Sequence, residues 1–262
     1  MTTAQDDIDW LTRSENRVQA LELLSERSYD RSELLEAVDV SRVTFNRMLE
    51  ALNERGWIAQ DNERKFHATP LGRIVIRDVL TAFNSAVTAR KLRDLIEYLP
   101  TEEFDFDLNR LQNARITRPT ETDTIAPLNR SAELLNEATQ RFTPVVANVD
   151  RLHTGGVNEV NLEHAEAILT AEVMETILAD SVMREDVIAA TDTGFDLYLY
   201  DGSAPITINL FDDVVGLELN DGSGFVPAFI ETDDQVVHDW AERTYEQYKG
   251  EAKPLDAEDF RT

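Results

Sequence analysis

The chain has 262 residues, of which 42% are hydrophobic, so it can bury a sizeable core and its length suits two domains. It contains no cysteine, which excludes disulfides, thiol nucleophiles and cysteine-ligated zinc. No apolar run is long enough for a membrane helix, and the first ten residues lack the basic and apolar parts of a signal peptide. We therefore expect a cytoplasmic protein.

The formal net charge is −26, from 51 acidic and 25 basic residues, and only four of the basic residues are lysines. Such a surface stays hydrated in molar salt, where a Debye length of about 3 Å screens its self-repulsion. The pattern favours a halophilic source over an ordinary acidic cytosolic protein. Residues 1–95 carry 14 basic and 16 acidic side chains, so nearly all of the net charge falls in residues 96–262. This distribution indicates an N-terminal module that is free of repulsion toward a polyanion such as nucleic acid.

A helix-turn-helix that ends in a glycine and the start of a strand is predicted from Asp30 to Ile58, after a first helix from about Ile8 to Ser25. Asp30 and Glu33 have the spacing of a capping box, and Leu34, Leu35 and Val38 form the apolar side of the second helix. Ser41 caps the third helix and Gly56 closes it. The apolar positions of the third helix fall at i, i+3, i+4 and i+7, and they are Phe45, Met48, Leu49 and Leu52.

The opposite side of the third helix has the side chains that read DNA bases. Arginine pairs with guanine and asparagine with adenine in the major groove, so Arg42, Asn46 and Arg47 suit base edges. Ser41 and Thr44 suit phosphate contacts, and Val43 lies on the same side. An ordinary solvated face has the same composition, but the order of the surrounding elements favours a recognition helix.

A wing hairpin is predicted after Gly56, with Arg64 and Lys65 in reach of a flanking phosphate or minor groove, although Glu63 beside them would repel it. Thr69 and Pro70 then open a helix that is predicted to run to Pro100. We assign this long helix to dimerisation, and packing within the chain is the alternative.

The remaining chain predicts an α/β domain with a mixed sheet. We divide the sequence into a winged helix-turn-helix at residues 1–95, which includes the start of the dimerisation helix, a connector at 96–118 and a sensor domain at 119–262. The sensor domain begins with a helix at 130–140 and a strand at 143–149, followed by a strand at 163–170 and two helices. Four strands with hairpin turns come next, and a final helix is capped by Thr232.

The second domain lacks the motifs of common enzymes. None of the four histidines has a lysine two residues later, as a phospholipase D-type site requires, and the DGSG at 221–224 sits in a turn and not in a nucleophile elbow. We therefore predict no enzymatic activity, no cofactor and no metal. The polar loop after residue 149 suggests effector contacts from His153, Thr154 and Asn158, or else an ordinary loop. Tyr198 and Tyr200 share a strand face, which lies in the core or lines a pocket.

The segments SRVTFNRMLEALNERGWI and ATPLGR resemble the winged helix of archaeal regulators related to the ArsR and MarR types. Three later segments resemble haloarchaeal regulators with a sensor domain of the methanogenesis-regulator (filament-regulator) kind, and they read RKLRDLIEYLPTEEFDFDL, IAPLNRSAELL and IETDDQVVHDWAERTYEQYKGEAKPL. The resemblance implies a homodimeric DNA-binding transcription factor of α+β fold. It also implies a C-terminal domain that binds a small effector and has a non-catalytic, phospholipase D-like sensor fold.

The sequence thus predicts a regulator that binds specific double-stranded DNA. The alternative is a protein-interaction adaptor that uses its winged helix for docking. An adaptor would tolerate replacement of Arg42, Asn46 and Arg47, whereas a DNA reader would not.

Overall fold

The computed structural model describes residues 3–149, 162–192 and 194–261. The chain forms two compact units, Met1–Val87 and Thr88–Thr262. The first unit is mostly helical and the second is built on a mixed sheet, so the α+β class expected from the sequence is confirmed. The division into domains at residues 95 and 118 stays a prediction.

The first unit is a winged helix-turn-helix. Its elements in chain order are α1 (Ala4–Thr12), α2 (Glu15–Glu26), α3 (Arg31–Val38), α4 (Arg42–Glu54), β1 (Ile58–Gln60), β2 (Phe66–Ala68) and α5 (Pro70–Leu92), which continues into the second unit. β1 and β2 pair in antiparallel fashion, and Tyr29 forms a further bridge with Phe66. The core of the unit is contiguous from Leu11 to Val79.

The predicted ends of α3 and α4 are confirmed. Asp30 caps α3 in a capping box with Glu33, and the Ser41 hydroxyl accepts a hydrogen bond from the Thr44 amide at the start of α4. Gly56 follows α4 with φ +70°, a conformation that favours glycine. The predicted apolar side of α4 is buried, and its residues are Phe45, Met48, Leu49 and Leu52.

The single first helix predicted from Ile8 to Ser25 is wrong, because the chain breaks into α1 and α2. Thr3 caps α1 through a capping box with Asp6, and Ser14 has an extended backbone that begins α2. Near the end of α1, Trp10 contacts two guanidinium groups, and its ring centre lies 4.4 Å from Cζ of Arg17 and 4.1 Å from Cζ of Arg55.

The long helix is also shorter than predicted, since α5 ends at Leu92 and not at Pro100. The helix begins as expected, with the Thr69 hydroxyl accepting from the Gly72 amide. After its end, the Leu95 amide bonds to the Leu92 carbonyl three residues earlier, and the chain continues as a short 3-10 helix at Ile96–Tyr98. Long-range contacts hold this end in place, because the Lys91 ammonium donates to the Gln112 and Ala114 carbonyls.

The second unit contains an eight-stranded sheet of order β10-β6-β5-β4-β7-β8-β9-β3. Its strands are β3 (Arg115–Thr117), β4 (Arg141–Val146), β5 (His164–Thr170), β6 (Asp196–Tyr200), β7 (Thr207–Phe211), β8 (Val214–Glu218), β9 (Phe229–Thr232) and β10 (Lys253–Leu255). β4, β5 and β6 are parallel, and the other neighbours are antiparallel. The predicted mixed sheet is therefore confirmed.

Helices cover both faces of this sheet. They are α6 (Ala126–Glu137), α7 (Ala171–Ala179), α8 (Ser181–Asp192) and α9 (Gln235–Glu251). Residues of α9 pack with one face, in a core that includes Val145, Ile208 and Leu217. Residues of α6, α7 and α8 pack with the other face. Side chains alternate between the two faces along each strand, so a one-residue change of register would exchange the two cores.

Two details near the C-terminal end of the second unit differ from prediction, whereas the placement of Tyr198 and Tyr200 agrees with it. Asp234 caps the last helix in place of Thr232, because its carboxylate accepts from the amides of residues 236 and 237. The sequence reading missed β10 and the 3-10 helix at Ala257–Phe260, which are too short for a periodic pattern. Tyr198 and Tyr200 are half-buried against the core on the α9 face.

A nearly buried ion pair joins α6 to the edge region of the sheet. Arg130 of α6 donates two hydrogen bonds to the Glu231 carboxylate, at 2.7 and 2.8 Å, and both side chains are only about one-eighth exposed. The hydrogen bonds to Glu231 raise the pKa of Arg130 above its ordinary value. Arg130 also donates to Glu133 at 2.9 Å, but that carboxylate is mostly exposed, so breaking the pair with Glu231 removes the buried partner of Arg130.

We expect Glu231→Gln to lower the free energy of unfolding by about 3 kcal/mol, because it leaves the Arg130 guanidinium without its bidentate partner. Asp105→Asn is the matched control. It breaks a 2.8 Å pair with Arg243 in which both side chains are more than half exposed, and it should cost less than about 1 kcal/mol. Urea unfolding at fixed salt measures both, and equal losses would contradict a structural role for the buried pair.

We expect Ser41→Ala to destabilise the first unit by about 1 kcal/mol, because it removes the cap of α4, and Ser41→Gly to cost only a few tenths. Ser14→Ala is the control, since Ser14 begins α2 without a side-chain cap bond. Thermal unfolding of the three variants measures the difference. An effect of Ser14→Ala as large as that of Ser41→Ala would show that the hydroxyl of Ser41 does not act as a cap.

Candidate nucleic-acid interface

The outer side of α4 is fully accessible in the first unit. Each predicted DNA-contacting residue of this helix is exposed, including the apolar Val43, whose exposed fraction is 61%. The other exposed residues are Ser41, Arg42, Thr44, Asn46 and Arg47. The cap at Ser41 and the buried apolar side of α4 fix the direction in which this face points. The structure therefore brings these six residues together on one surface.

The hydroxyls of Ser41 and Thr44 lie 3.0 Å apart and bond to each other at the start of α4. The Ser41 hydroxyl also accepts from the Thr44 amide, at 3.3 Å. A hydroxyl has one donor and two acceptor sites, so one of the two can still donate outward. The N-terminal end of a helix also carries partial positive charge.

Sequence reasoning missed Arg31, which lies beside the predicted interface. Its guanidinium donates a hydrogen bond of 2.5 Å to the Asn46 side-chain oxygen and lies 5.7 Å from the centre of the Phe45 ring. Arg31 is the first residue of α3, and the turn between α3 and α4 brings it next to Asn46. The contact orients the Asn46 amide. Only the packing of two helices reveals it, because the two residues are 15 positions apart.

The arginines of the first unit divide into two groups. Seven of them have a carboxylate, carbonyl, amide or aromatic partner, and these are Arg13, Arg17, Arg27, Arg31, Arg55, Arg73 and Arg77. Within the described residues 3–87, no hydrogen bond, ion pair or ring contact engages the side chains of the remaining three, Arg42, Arg47 and Arg64. These three are all exposed and all belong to the predicted interface.

The wing presents one available cation and one that is already paired. Asp61 organises the turn, because its carboxylate accepts from the amides of Glu63 and Lys65. Arg64 is exposed and has φ +63°, which turns the hairpin. The Lys65 ammonium lies 3.2 Å from the Glu63 carboxylate. Of the two predicted wing contacts, Arg64 is thus the better placed to meet a phosphate.

The second unit contains a cavity of about 150 Å³ on the sheet face that packs with α6 and α8. Most of its wall is apolar, with the aromatic rings of Phe142 and Phe195 among its members. Polar side chains also reach it, including Thr207 and Asn209 of β7 and Glu218 of β8. Asn148 and Val149 line it just after the carboxyl end of β4, which is where sheets of this kind place ligands.

The predicted effector residues His153, Thr154 and Asn158 lie outside the described residues. In the described ranges, no group of three or more histidine or carboxylate side chains could hold a metal ion. None of the helices described here has the length and hydropathy needed to cross a membrane.

Two family models match the chain. Residues 5–91 match the HVO_A0261 N-terminal domain, and residues 125–251 match the middle domain of the methanogenesis regulatory protein FilR1. The comparison with curated proteins gave no match.

Several solved structures are similar at low identity. TrmBL2, described as an archaeal chromatin protein with a novel mode of DNA binding, is 14% identical with a TM-score of 0.41, and the match covers 95% of this chain and 98% of that one. An IclR homologue from Microbacterium hydrocarbonoxydans, complexed with 4-hydroxybenzoate, is 10% identical with a TM-score of 0.23, covering 90% and 98%. An IclR-family regulator from Rhodococcus sp. is 12% identical with a TM-score of 0.23, covering 95% and 96%. These scores are too low to support an argument about function.

The two family matches fall on the two parts of the chain that the fold distinguishes, and the second is to a domain of a regulatory protein. The two matches support a transcriptional regulator in which a domain similar to the HVO_A0261 N-terminal domain precedes a domain similar to the FilR1 middle domain.

Proposed function

We propose that this regulator binds specific double-stranded DNA through α4 and the wing, and that it does so as a homodimer whose C-terminal unit senses a small molecule. The observation that carries the DNA part is the set of three unengaged arginines, Arg42, Arg47 and Arg64. In a chain with twice as many acidic as basic residues, an exposed arginine readily finds a carboxylate. These three have none within the described first unit, and all three face the same predicted ligand.

The chemistry of the α4 face suits the major groove. Arg42 and Arg47 can each donate two hydrogen bonds to guanine O6 and N7. Asn46, oriented by Arg31, keeps its amide N–H donors for adenine N7, and its oxygen has a second lone pair for the adenine amino group. Val43 can contact the methyl group of thymine. Ser41, Thr44, Arg64 and, after release from Glu63, Lys65 would contact the phosphate backbone.

The charge distribution makes this binding depend on short-range contacts. The first 95 residues are nearly neutral, so long-range attraction toward DNA is weak, and a halophilic cytoplasm would screen it further. Arg64 and Lys65 are the two cations assigned to phosphate, and they would give a slope of only about −2 in a plot of log K against log salt. Hydrogen bonds to base edges then supply most of the specificity, and binding survives at high salt.

We expect Arg47→Ala to weaken binding at specific sites by about 1–3 kcal/mol, because it removes one bidentate base contact. Affinity capture of genomic fragments from the native host at molar KCl, followed by footprinting of the enriched sites, measures the loss. Arg77→Ala is the matched control, since Arg77 is an exposed arginine of α5 that pairs with Asp78.

Unchanged occupancy with Arg47→Ala would remove Arg47 from the interface. Wild-type protein that enriches no site would contradict specific DNA binding and favour the adaptor, in which the α4 face docks on a protein.

The proposed dimer uses the second half of α5. Phe83 and Val87 are four residues apart, so they lie on one side of the helix, and their exposed fractions are 42% and 57%. They continue the side of α5 on which Ile76 and Val79 are buried in the first unit. A second copy of α5 is the occupant that we propose, because pairing equivalent helices about a twofold axis covers the same residues on both chains. It would also fix the spacing of the two recognition helices.

We expect Phe83→Glu to convert the dimer to monomer, because it places a carboxylate in the apolar contact. Thr81→Glu is the control, since Thr81 is exposed on the other side of the same helix. Sedimentation at molar KCl distinguishes the two states. A monomeric wild type would contradict the homodimer, and a dimeric Phe83→Glu variant would contradict this contact surface.

The remaining parts of the proposal concern the C-terminal unit and the site of action. We treat this unit as a non-catalytic relative of the phospholipase D-like sensor fold, which its helix-covered mixed sheet supports. His153, Thr154 and Asn158 stay candidates for effector contact. A regulator that reads chromosomal DNA acts in the cytoplasm of an archaeal cell.

A further inference from the structure

The cavity of the second unit contains a buried hydrogen-bond donor without a partner. The Asn209 side chain is only 4% exposed, lines the cavity and leaves its Nδ2 atom without an acceptor. Most buried polar groups in proteins are hydrogen-bonded, because an unsatisfied one costs about 1–3 kcal/mol. The unpaired amide of Asn209 therefore needs a physical explanation.

The register of the sheet explains why no protein group reaches this amide. The cross-strand neighbours of Asn209 are Pro144 on β4 and Gly216 on β8. Neither has a polar side chain, and the Phe229 ring fills the space beside Gly216, so that a Cβ atom there would lie 2.4 Å from it. The Asn209 amide thus faces the cavity between two residues that cannot bond to it.

The other polar groups of the cavity are engaged, acidic or partly exposed to solvent, and the partly exposed ones are Ser131 and Asn148. The Thr207 hydroxyl accepts from the Ala147 amide at 2.9 Å. Glu218, the cross-strand partner of Thr207, and Asp186 of α8 are carboxylates. Within the described part of the lining there is no lysine, arginine or histidine that would receive an anion. Asn209 Nδ2 is therefore the buried donor without a partner that a ligand in this cavity would meet.

The size and walls of the cavity limit the apolar part of the ligand. A cavity of about 150 Å³ lined by leucine, isoleucine and phenylalanine is known to accept benzene. The present cavity has the same volume, and the rings of Phe142 and Phe195, with centroids 6.4 Å apart, form part of its wall. Aromatic walls favour an aromatic ligand through edge-to-face and offset contacts.

We propose that this cavity binds an uncharged molecule with one aromatic ring and a carbonyl oxygen, which accepts a hydrogen bond from Asn209 Nδ2. The inference deepens the proposed function and rests on it, because it gives the sensed molecule a site and a chemical class. The ring fills the apolar part of the cavity, and the carbonyl satisfies the buried amide.

Acetophenone, α-methylstyrene and benzoate test this proposal on the full chain in molar KCl. α-Methylstyrene has nearly the shape of acetophenone but has a methylene group in place of the carbonyl oxygen, and benzoate carries a negative charge. We expect acetophenone to raise the melting temperature and to bind about tenfold more tightly than α-methylstyrene by calorimetry, the factor that one hydrogen bond of ordinary strength provides. No measurable binding of acetophenone at millimolar concentration, or tighter binding of benzoate, would overturn the proposal.

Two variants connect the binding to this cavity. Asn209→Leu removes the unpartnered amide and should fold at least as stably as wild type, but it should lose the preference for acetophenone. Ala167→Leu fills the cavity from β5 and should weaken both neutral probes at least tenfold, so the test does not depend on one variant. A preference that persists in Asn209→Leu, or unchanged affinities in Ala167→Leu, would place the probes elsewhere and overturn the proposal.

Calorimetry without DNA separates this inference from the proposed function. A chain that binds acetophenone with the expected pattern but enriches no genomic site retains the cavity site and loses the DNA-binding role. A chain that enriches specific sites but binds none of the probes loses only the cavity proposal.

Discussion

The excess of carboxylates determines how many of the arginine and lysine side chains are left without an ionic partner. With 51 acidic and 25 basic residues, a guanidinium or ammonium group is held by the fold wherever a carboxylate or carbonyl lies within reach. Arg55 pairs with Asp7, Arg130 with Glu231 and Lys249 with the buried Glu166. Cations are thus used mainly as structural links between elements. Against that background, three exposed arginine side chains without a partner in the described part of the first unit are informative, as they would not be on a basic protein, and these are Arg42, Arg47 and Arg64.

In the second unit, too, charged and polar side chains stabilise the fold through hydrogen bonds. Asp212 is an example. Burial alone would raise the pKa of its carboxyl group, but the amides of Thr139, Arg141 and Gln140 donate to it and lower that pKa overall, while they fix the turn between β7 and β8. Asn209, three residues earlier in the chain, has no such partner for its Nδ2 atom. A structural role explains the burial of Asp212. It does not explain the buried amide of Asn209, and a ligand in the cavity would supply the missing hydrogen-bond acceptor.

Local signals predicted the helix-turn-helix well, and long-range contacts account for what they missed. The caps at Asp30, Ser41 and Gly56 are encoded within a few residues, so they could be located from the sequence. The end of α5 at Leu92 depends on Lys91 reaching two carbonyls more than 20 residues away. The isolation of Asn209 requires the register of three strands, and the Arg31–Asn46 contact requires the packing of two helices. Side-chain type alone indicates none of these.

The position of Asn209 in β7 connects the cavity with the core on the other side of the sheet. Along β7, Ile208 and Leu210 flank Asn209 and point to the opposite face, where they share a core with Leu92, the last residue of α5, and with Leu95 just after it. A ligand that accepts a hydrogen bond from the Asn209 amide therefore binds to a strand whose neighbouring residues, Ile208 and Leu210, belong to that core. A ligand shifts a conformational equilibrium only by its difference in affinity between the two states. A single hydrogen bond to a central strand supplies such a difference if the two states place β7 differently, and the end of α5 belongs to the core that β7 contacts.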